Sequence, residues 1–149
     1  MRYTLDLFVA ELRCPRCGNV SAADDATNMQ TKIRDEPELA WLGVGSALEL
    51  DPATIPDADY YPVQPPGDTI RILETWACPT CDFYPNWAEI VVRDGRIESI
   101  TAVPLDRDTL ERVHFICQDA YYIAADLAGR NTLDVARDED VVAILRQFL

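Results

Sequence analysis

Cys14-Pro15-Arg16-Cys17 and Cys78-Pro79-Thr80-Cys81 are two Cys-x-x-Cys pairs separated by 60 residues. Four thiolates in this arrangement form a complete tetrahedral ligand set, as in closed structural zinc sites, with no coordination position left for water or substrate. The expected cofactor is one structural Zn2+ ion held by Cys14, Cys17, Cys78 and Cys81. Iron is the alternative, because thiolate softness does not separate the two metals. Zinc is preferred because a redox metal needs tuned access, whereas a brace needs only closure. A thioredoxin-like use of Cys78 and Cys81 would need a helix N-terminus to lower the thiol pKa. Cys81 instead leads into Asp82-Phe83-Tyr84-Pro85-Asn86 and then a hairpin pattern.

Little else in the chain reads as catalytic. The fifth cysteine, Cys117, falls in the series Leu110, Val113, Cys117, Ala120, Ala124, Leu127, whose three- and four-residue steps predict one face of a helix. A lone thiol there is expected to pack as a small buried hydrophobe. His114, the single histidine, is expected on the same helix as a boundary residue. No Gly-rich phosphate loop, nucleophile elbow or His-Glu-x-x-His is present, so no catalytic residue is assigned. The enzyme alternative is a small catalyst or ligand-binding protein with zinc as scaffold and a pocket lined by Tyr121, Tyr122, Trp87 and His114.

Charge narrows the partners. The chain carries a formal net charge of -13, and residues 35–68 alone contribute eight acidic groups and no basic one. Such a field repels phosphate backbones, whose binding depends on Lys and Arg displacing counterions. A nucleic-acid role would rest on Arg13, Arg16, Lys32 and Arg34 near the first pair, and is disfavoured. A basic protein partner is the expectation, with Trp41, Tyr60 and Tyr61 as aromatic anchors and Asp51, Asp57 and Asp59 as steering charges. Arg2 and Asp6 interrupt any apolar N-terminal run, and no segment has the ~18 to 20 apolar residues of a membrane span. A cytoplasmic, bacterial protein without membrane contact is expected.

These groups must be positioned by recognisable elements. Tyr3 to Leu12 predicts a strand into the first pair, with Leu5, Leu7 and Val9 on one alternate set and Thr4 and Asp6 on the other. Met29 to Arg34 predicts a returning strand. A helical turn is expected around Leu39, Trp41 and Leu42. Five prolines between Asp51 and Asp68 predict a segment with little regular structure. Ile70 to Trp76 predicts a strand delivering Cys78. Trp87–Arg93 and Arg96–Val103 flank Asp94-Gly95, the preferred dipeptide of a two-residue type I′ hairpin. Asp106 or Asp108 is expected to cap a helix running to about Leu127, with Gly129 at its C-cap. A second helix is expected over Asp138–Leu149, with Val141, Val142, Ile144, Leu145, Phe148 and Leu149 on its apolar face and Asp138, Glu139 and Asp140 at its positive dipole end.

The motif Cys14-Pro15-Arg16-Cys17-Gly18 with Cys78-Pro79-Thr80-Cys81 and the adjacent strands resembles the zinc-ribbon superfamily, rubredoxin-like knuckles included. The resemblance implies two hairpin-like knuckles clamping one ion. Asp82 stands where the second glycine is usual, and the inter-knuckle insertion is long. The expected fold is therefore α+β: an antiparallel sheet built on a split four-cysteine zinc ribbon, with two C-terminal helices packed on one face. One domain is expected over residues 1–149, with 1–34 and 69–103 as β core, 35–68 as acidic Pro-rich insertion and 104–149 as helical part. The expected function is a zinc-braced acidic protein-binding module. An immunity-type protein that neutralises a basic toxin is one form of it.

Overall fold

The computed structural model describes residues 5–34, 36, 38–129 and 138–149, and no side chain of 138–140. Tyr3, Thr4, Asp35 and Pro37, and the side chains of Asp138, Glu139 and Asp140, on which parts of the expectations fall, lie outside the described residues. The chain is α+β, with ten strands and three helices among the described residues. Its main sheet has five strands and its minor sheet three, and a two-stranded hairpin carries the first cysteine pair.

The main sheet grows from the Asp94-Gly95 turn. Asp94 has φ 52° and Gly95 φ 71°, the two positive values a type I′ turn requires. They join two eight-residue strands, Asn86–Arg93 and Arg96–Val103. The first pairs on its other side with Thr69–Trp76 over eight register positions. The strand Asn86–Arg93 is buried on both faces up to Arg93, which explains its continuous run Ile90-Val91-Val92 in place of alternation.

The expected long helix after Asp106 is instead two short helices with a strand between them. Asp106 caps Arg107–Arg112 by accepting the Thr109 N–H at 2.9 Å. The chain then extends as Phe115–Cys117 and turns into the second helix, Ala120–Leu127. Phe115–Cys117 pairs parallel to Thr69–Trp76 and antiparallel to Tyr60–Pro62. Flanked on both sides, it is wholly buried and shows no period-two signal. The step pattern through Cys117 thus mimicked a helix, and the shared helix face expected for His114 and Cys117 does not exist. Gly129, at φ 64°, does follow the second helix.

The Pro-rich segment also holds more regular structure than expected. Pro56 lies in the 3₁₀ turn Ile55–Ala58, and Tyr60–Pro62 forms an edge strand of the main sheet. Pro62 is tolerated there because an edge strand has one side whose N–H groups need no strand partner.

In the minor sheet β1 (Asp6–Phe8) lies between β4 (Met29–Thr31) and β5 (Trp41–Leu42), which leaves both of the latter as edges. Here β2 (Leu12–Arg13) and β3 (Val20–Ser21) are the knuckle hairpin. The helical turn expected around Trp41 is therefore a strand, parallel to β1. β1 also faces the opposite way from its apolar alternation. Asp6 and Phe8 point inward at 3% and 1% exposure, and Leu5, Leu7 and Val9 are half-buried. Asp6 tolerates burial because Arg34 grips both its oxygens at 2.8 Å and the Ala40 N–H donates to Oδ1 at 2.9 Å.

The remaining elements are β6 (Tyr60–Pro62), β7 (Thr69–Trp76), β8 (Asn86–Arg93), β9 (Arg96–Val103), β10 (Phe115–Cys117), α1 (Arg107–Arg112), α2 (Ala120–Leu127) and α3 (Asp138–Phe148). α3 packs on α2 and β6. Its Val141, Val142, Ile144 and Leu145 join the core with Ala120, Ala124 and Ala125, as its predicted apolar face requires, while Phe148 remains exposed. No helix among the described residues is long and apolar enough to cross a membrane.

Candidate metal centre

β2 and β3 carry the first cysteine pair, and the end of β7 delivers the second. Both pairs fold the same way. In the first, the Gly18 N–H donates to the Cys14 carbonyl at 2.9 Å and the Cys14 N–H donates to the Asn19 carbonyl at 2.9 Å. In the second, the Asp82 N–H donates to the Cys78 carbonyl at 2.9 Å and the Cys78 N–H donates to the Phe83 carbonyl at 3.1 Å. The leading cysteine of each pair is buried and the trailing one exposed, so the two loops meet as near-equivalent halves.

The four Sγ atoms lie within 4.8 Å of one another. Across the halves, Cys14 Sγ is 3.7 Å from Cys81 Sγ and Cys17 Sγ is 3.6 Å from Cys78 Sγ. A tetrahedron of metal–sulfur bonds of ~2.3 Å has edges of ~3.8 Å, so these separations fit one ion at the centre. They are far longer than a disulfide bond of ~2.0 Å. The donor set fits a thiophilic metal, and the four residues that would hold it are the four the sequence predicts.

The electrostatics of the cluster also favour a cation. Burial opposes ionisation of Cys14, yet the Cys17 and Arg16 backbone N–H groups, followed by the Cys81 and Cys17 thiols, bring it down to about 6. The Cys78 thiol is likewise lowered, chiefly by the Cys81 N–H. For Cys81 the largest influence is the Phe83 N–H, which lowers it, but burial and the three neighbouring thiols together push it up to about 12. Thiolates this close repel one another, and a central dication removes that conflict.

Side chains stitch the halves together. Asn19 Nδ2 donates to Thr80 Oγ1 at 2.9 Å, and the Arg16 guanidinium lies 5.1 Å from the centre of the Phe83 ring. Gly18 and Asp82 occupy the same position in their halves, with φ of 77° and 61°. Asp adopts this left-handed region more readily than most residues, though at a cost glycine does not bear. Nothing lies within 4 Å of where a Gly18 Cβ would sit, so a substitution there meets only the backbone penalty. Gly18→Ala is expected to destabilise the protein by about 1 to 2 kcal/mol, and Asp82→Gly to leave it unchanged or up to ~1 kcal/mol more stable. Denaturant titration of the two variants checks the asymmetry. Equal losses would contradict the equivalence of the two positions.

The second pair leads through a turn into β8, not into a helix, so the helix-assisted redox arrangement is missing. Of the cations near the first pair, Arg34 is held by Asp6 and Lys32 pairs with Asp59 at 3.1 Å. Arg13 donates to the Gly18 carbonyl at 3.0 Å.

The other predicted residues are dispersed. Trp41 is 62% exposed, and Asp51, Asp57 and Asp59 are exposed. Tyr61 is half-buried against the core. Tyr60 points inward at 4% exposure and so presents no aromatic surface. Trp87 is buried, Tyr122 exposed, and the His114 Nδ1 accepts the Arg71 N–H at 2.9 Å. The described cavities are not lined by Trp87, His114, Tyr121 or Tyr122.

Sequence reasoning missed a row of polar groups behind Tyr60. Cys117 is opposite Tyr60 on β6, and the parallel register Ile116↔Leu73 brings it beside Glu74 on β7. Tyr60 Oη donates to Glu74 Oε1 and shares a 2.7 Å hydrogen bond with Thr31 Oγ1. Glu74 is 3% exposed, and burial drives its carboxyl up to about 8. Burial also raises the Cys117 thiol well above its usual value, with the Glu74 and Asp119 carboxylates adding to the effect. A glutamate on a predicted core strand was the signal in the sequence.

No protein-family model matches the chain, and neither the curated proteins nor the solved structures include a significant match.

Proposed function

We propose that this chain is a zinc-braced acidic module, a split zinc ribbon in architecture, that docks a basic protein partner through the outer face of its minor sheet. The observation that carries this reading is the outer face itself. Leu7 registers with Gln30 on one side and Trp41 on the other, and Leu39, Trp41 and Val44 are 49%, 62% and 64% exposed. Glu36 and Glu38, both exposed, immediately precede Leu39 within the stretch that holds eight acidic and no basic residues. An aromatic anchor within a field of one sign suits a partner of the opposite sign, the ring supplying contact energy and the carboxylates the steering.

Asp51 and Asp57 are further exposed carboxylates of the same acidic stretch, which also holds Tyr61; Asp59 is paired with Lys32. An immunity-type protein that neutralises a basic toxin is the form of module this composition suits best. A reducing cytoplasm, which keeps thiols free for metal, suits the cysteine set.

The test begins with the partner recovered from the native host, identified by mass spectrometry, remade and titrated against the module. Trp41→Ala is expected to weaken binding by about 30-fold, the effect of losing a ~2 kcal/mol anchor. Glu38→Lys is expected to slow association, most strongly at low salt. Unchanged affinity in the tryptophan variant, or a recovered partner that is acidic, would overturn the proposal.

A further inference from the structure

We propose that the cavity between the minor and main sheets is a binding site for an organic cation, an ammonium or guanidinium group. This cavity, of about 380 Å³, falls within the ~300 to 1,000 Å³ of small-molecule sites. It opens on the opposite edge of the minor sheet from Trp41: β4 forms one wall, and the ends of β7 and β10 with the start of α2 form the other.

Its ionisable groups are mostly carboxylates, and the amides of Asn28, Gln30 and Gln118 that also line it offer donors and acceptors alike. On one wall, the row Tyr60, Cys117 and Glu74 is tied to Thr31 through the tyrosine hydroxyl. On the other, Asp119 Oδ2 accepts from Thr75 Oγ1 at 2.6 Å and from Tyr84 Oη. At the mouth, Asp59 faces Lys32. The hydroxyl donors are thus spent on the carboxyl groups they hold, while Asp119, and Glu74 once it ionises, have about four lone-pair positions each to fill. A ligand that only donates and carries positive charge matches that balance, and ammonium and guanidinium groups are of this kind. Anions meet Asp59 and Asp119, joined by Glu74 as it ionises, against the single Lys32. Bare metal ions are also a poor fit: among the described residues, the only His, Cys, Asp or Glu group whose ligand atoms converge is the cysteine cluster.

The titration of Glu74 adds a signature. The ionisable groups facing the cavity are Tyr60 on β6, Cys117 on β10, Asp119 at the head of α2, Asp59 before β6, Lys32 after β4 and Tyr84 beyond the second knuckle. With burial holding the Glu74 carboxyl protonated up to about 8, a cation entering at neutral pH favours release of that proton. Binding should therefore release protons near pH 7 and tighten as pH rises toward 8.

The chemistry has two sources, a free small molecule or the arginine or lysine side chain of a protein. Agmatine represents the first, acetyl-Gly-Arg-Gly-amide the second, and the same tripeptide with citrulline is the uncharged control. Each is titrated into the isotopically labelled, metal-loaded full chain, following the backbone amides of Gln30, Thr75, Gln118 and Asp119. Saturable shifts at these amides with either cation support the site, and saturation by the tripeptide alone assigns it to a protein side chain.

Asp119→Asn is expected to weaken binding about tenfold, as loss of a charge-assisted hydrogen bond does. Lys32→Glu, on the exposed rim, is expected to tighten binding about threefold at low salt. The proposal is overturned if neither cation saturates, if citrulline binds as well as arginine, or if both variants keep the original affinity. These probes are small molecules, so the result stands apart from whether the minor sheet docks a protein.

Discussion

Stripping the metal from the purified protein with a chelator at neutral pH is expected to abolish its cooperative thermal transition, and Cys78→Ser is expected to yield a chain that does not fold stably. The ion would join the β2–β3 hairpin to the end of β7, bridging cysteine pairs 60 residues apart in sequence. Besides the hydrophobic core that Leu12 and Trp76 share, the polar links between them among the described residues are the Asn19 to Thr80 hydrogen bond, the Arg16 contact with Phe83, and the Ala77 N–H to Thr27 carbonyl bond at 2.9 Å. Structural zinc contributes an apparent ~10 to 16 kcal/mol in small peptides, comparable with the whole ~5 to 15 kcal/mol stability of a domain. Cys78 is 1% exposed, so serine there would also leave a buried hydroxyl in place of a ligand. Circular dichroism with and without chelator, followed by metal add-back, reads the effect. A chelated sample with the same spectrum and thermal midpoint would refute it.

The second large effect is a fall in stability with rising pH that originates at Glu74. Its carboxyl stands at about 8 in the folded chain against an ordinary 4.5, and it faces Tyr60, Cys117 and Asp119. Between those values the folded state holds a proton the unfolded state has released, so stability decreases as pH rises through this window. The contribution is fully present below about pH 4.5 and is lost by the time pH has passed about 8. Each pH unit of that window is worth about 1.4 kcal/mol, so the loss amounts to several kcal/mol. Glu74→Gln keeps a hydrogen-bonding side chain of the same shape but cannot ionise. It is expected to flatten the profile and to exceed the parent in stability above about pH 8. Urea titrations at a series of pH values compare the two chains. Parallel profiles would show that the carboxyl carries no such linkage.

The four-cysteine cluster was legible because its signal is local. A Cys-x-x-Cys loop builds half a site within a single turn of chain, and two of them suffice. The Asp94-Gly95 hairpin and the Asp106 cap were legible for the same reason: a turn dipeptide and a capping carboxylate act on their own neighbours. What failed to show was structure fixed by distant partners. Asp6 turns inward only because Arg34, 28 residues on, meets it, so the leucines beside it are displaced outward against their pattern. Phe115–Cys117 lies between two strands and lost the alternation that would have marked it. Trp41 lies on a strand because β1 offers an edge. Tyr60 read as a surface aromatic because it sits in a Pro-rich, acidic run, yet the register of β6 on β10 carries it into the core.

The same distinction separates the two candidate sites. The thiolate cluster is written in the spacing of four residues, whereas the cation cavity is assembled from β4, β6, β7, β10 and the head of α2. Its carboxyl groups, Asp59, Glu74 and Asp119, meet only when these elements are brought together.

X-ray absorption at the metal edge of the purified chain, with elemental analysis of the same sample, tests the metal-braced architecture most directly. One ion per chain with four sulfur neighbours at about 2.3 Å is the expected result. Substoichiometric metal in a fully folded sample, or a first shell of nitrogen and oxygen, would contradict it.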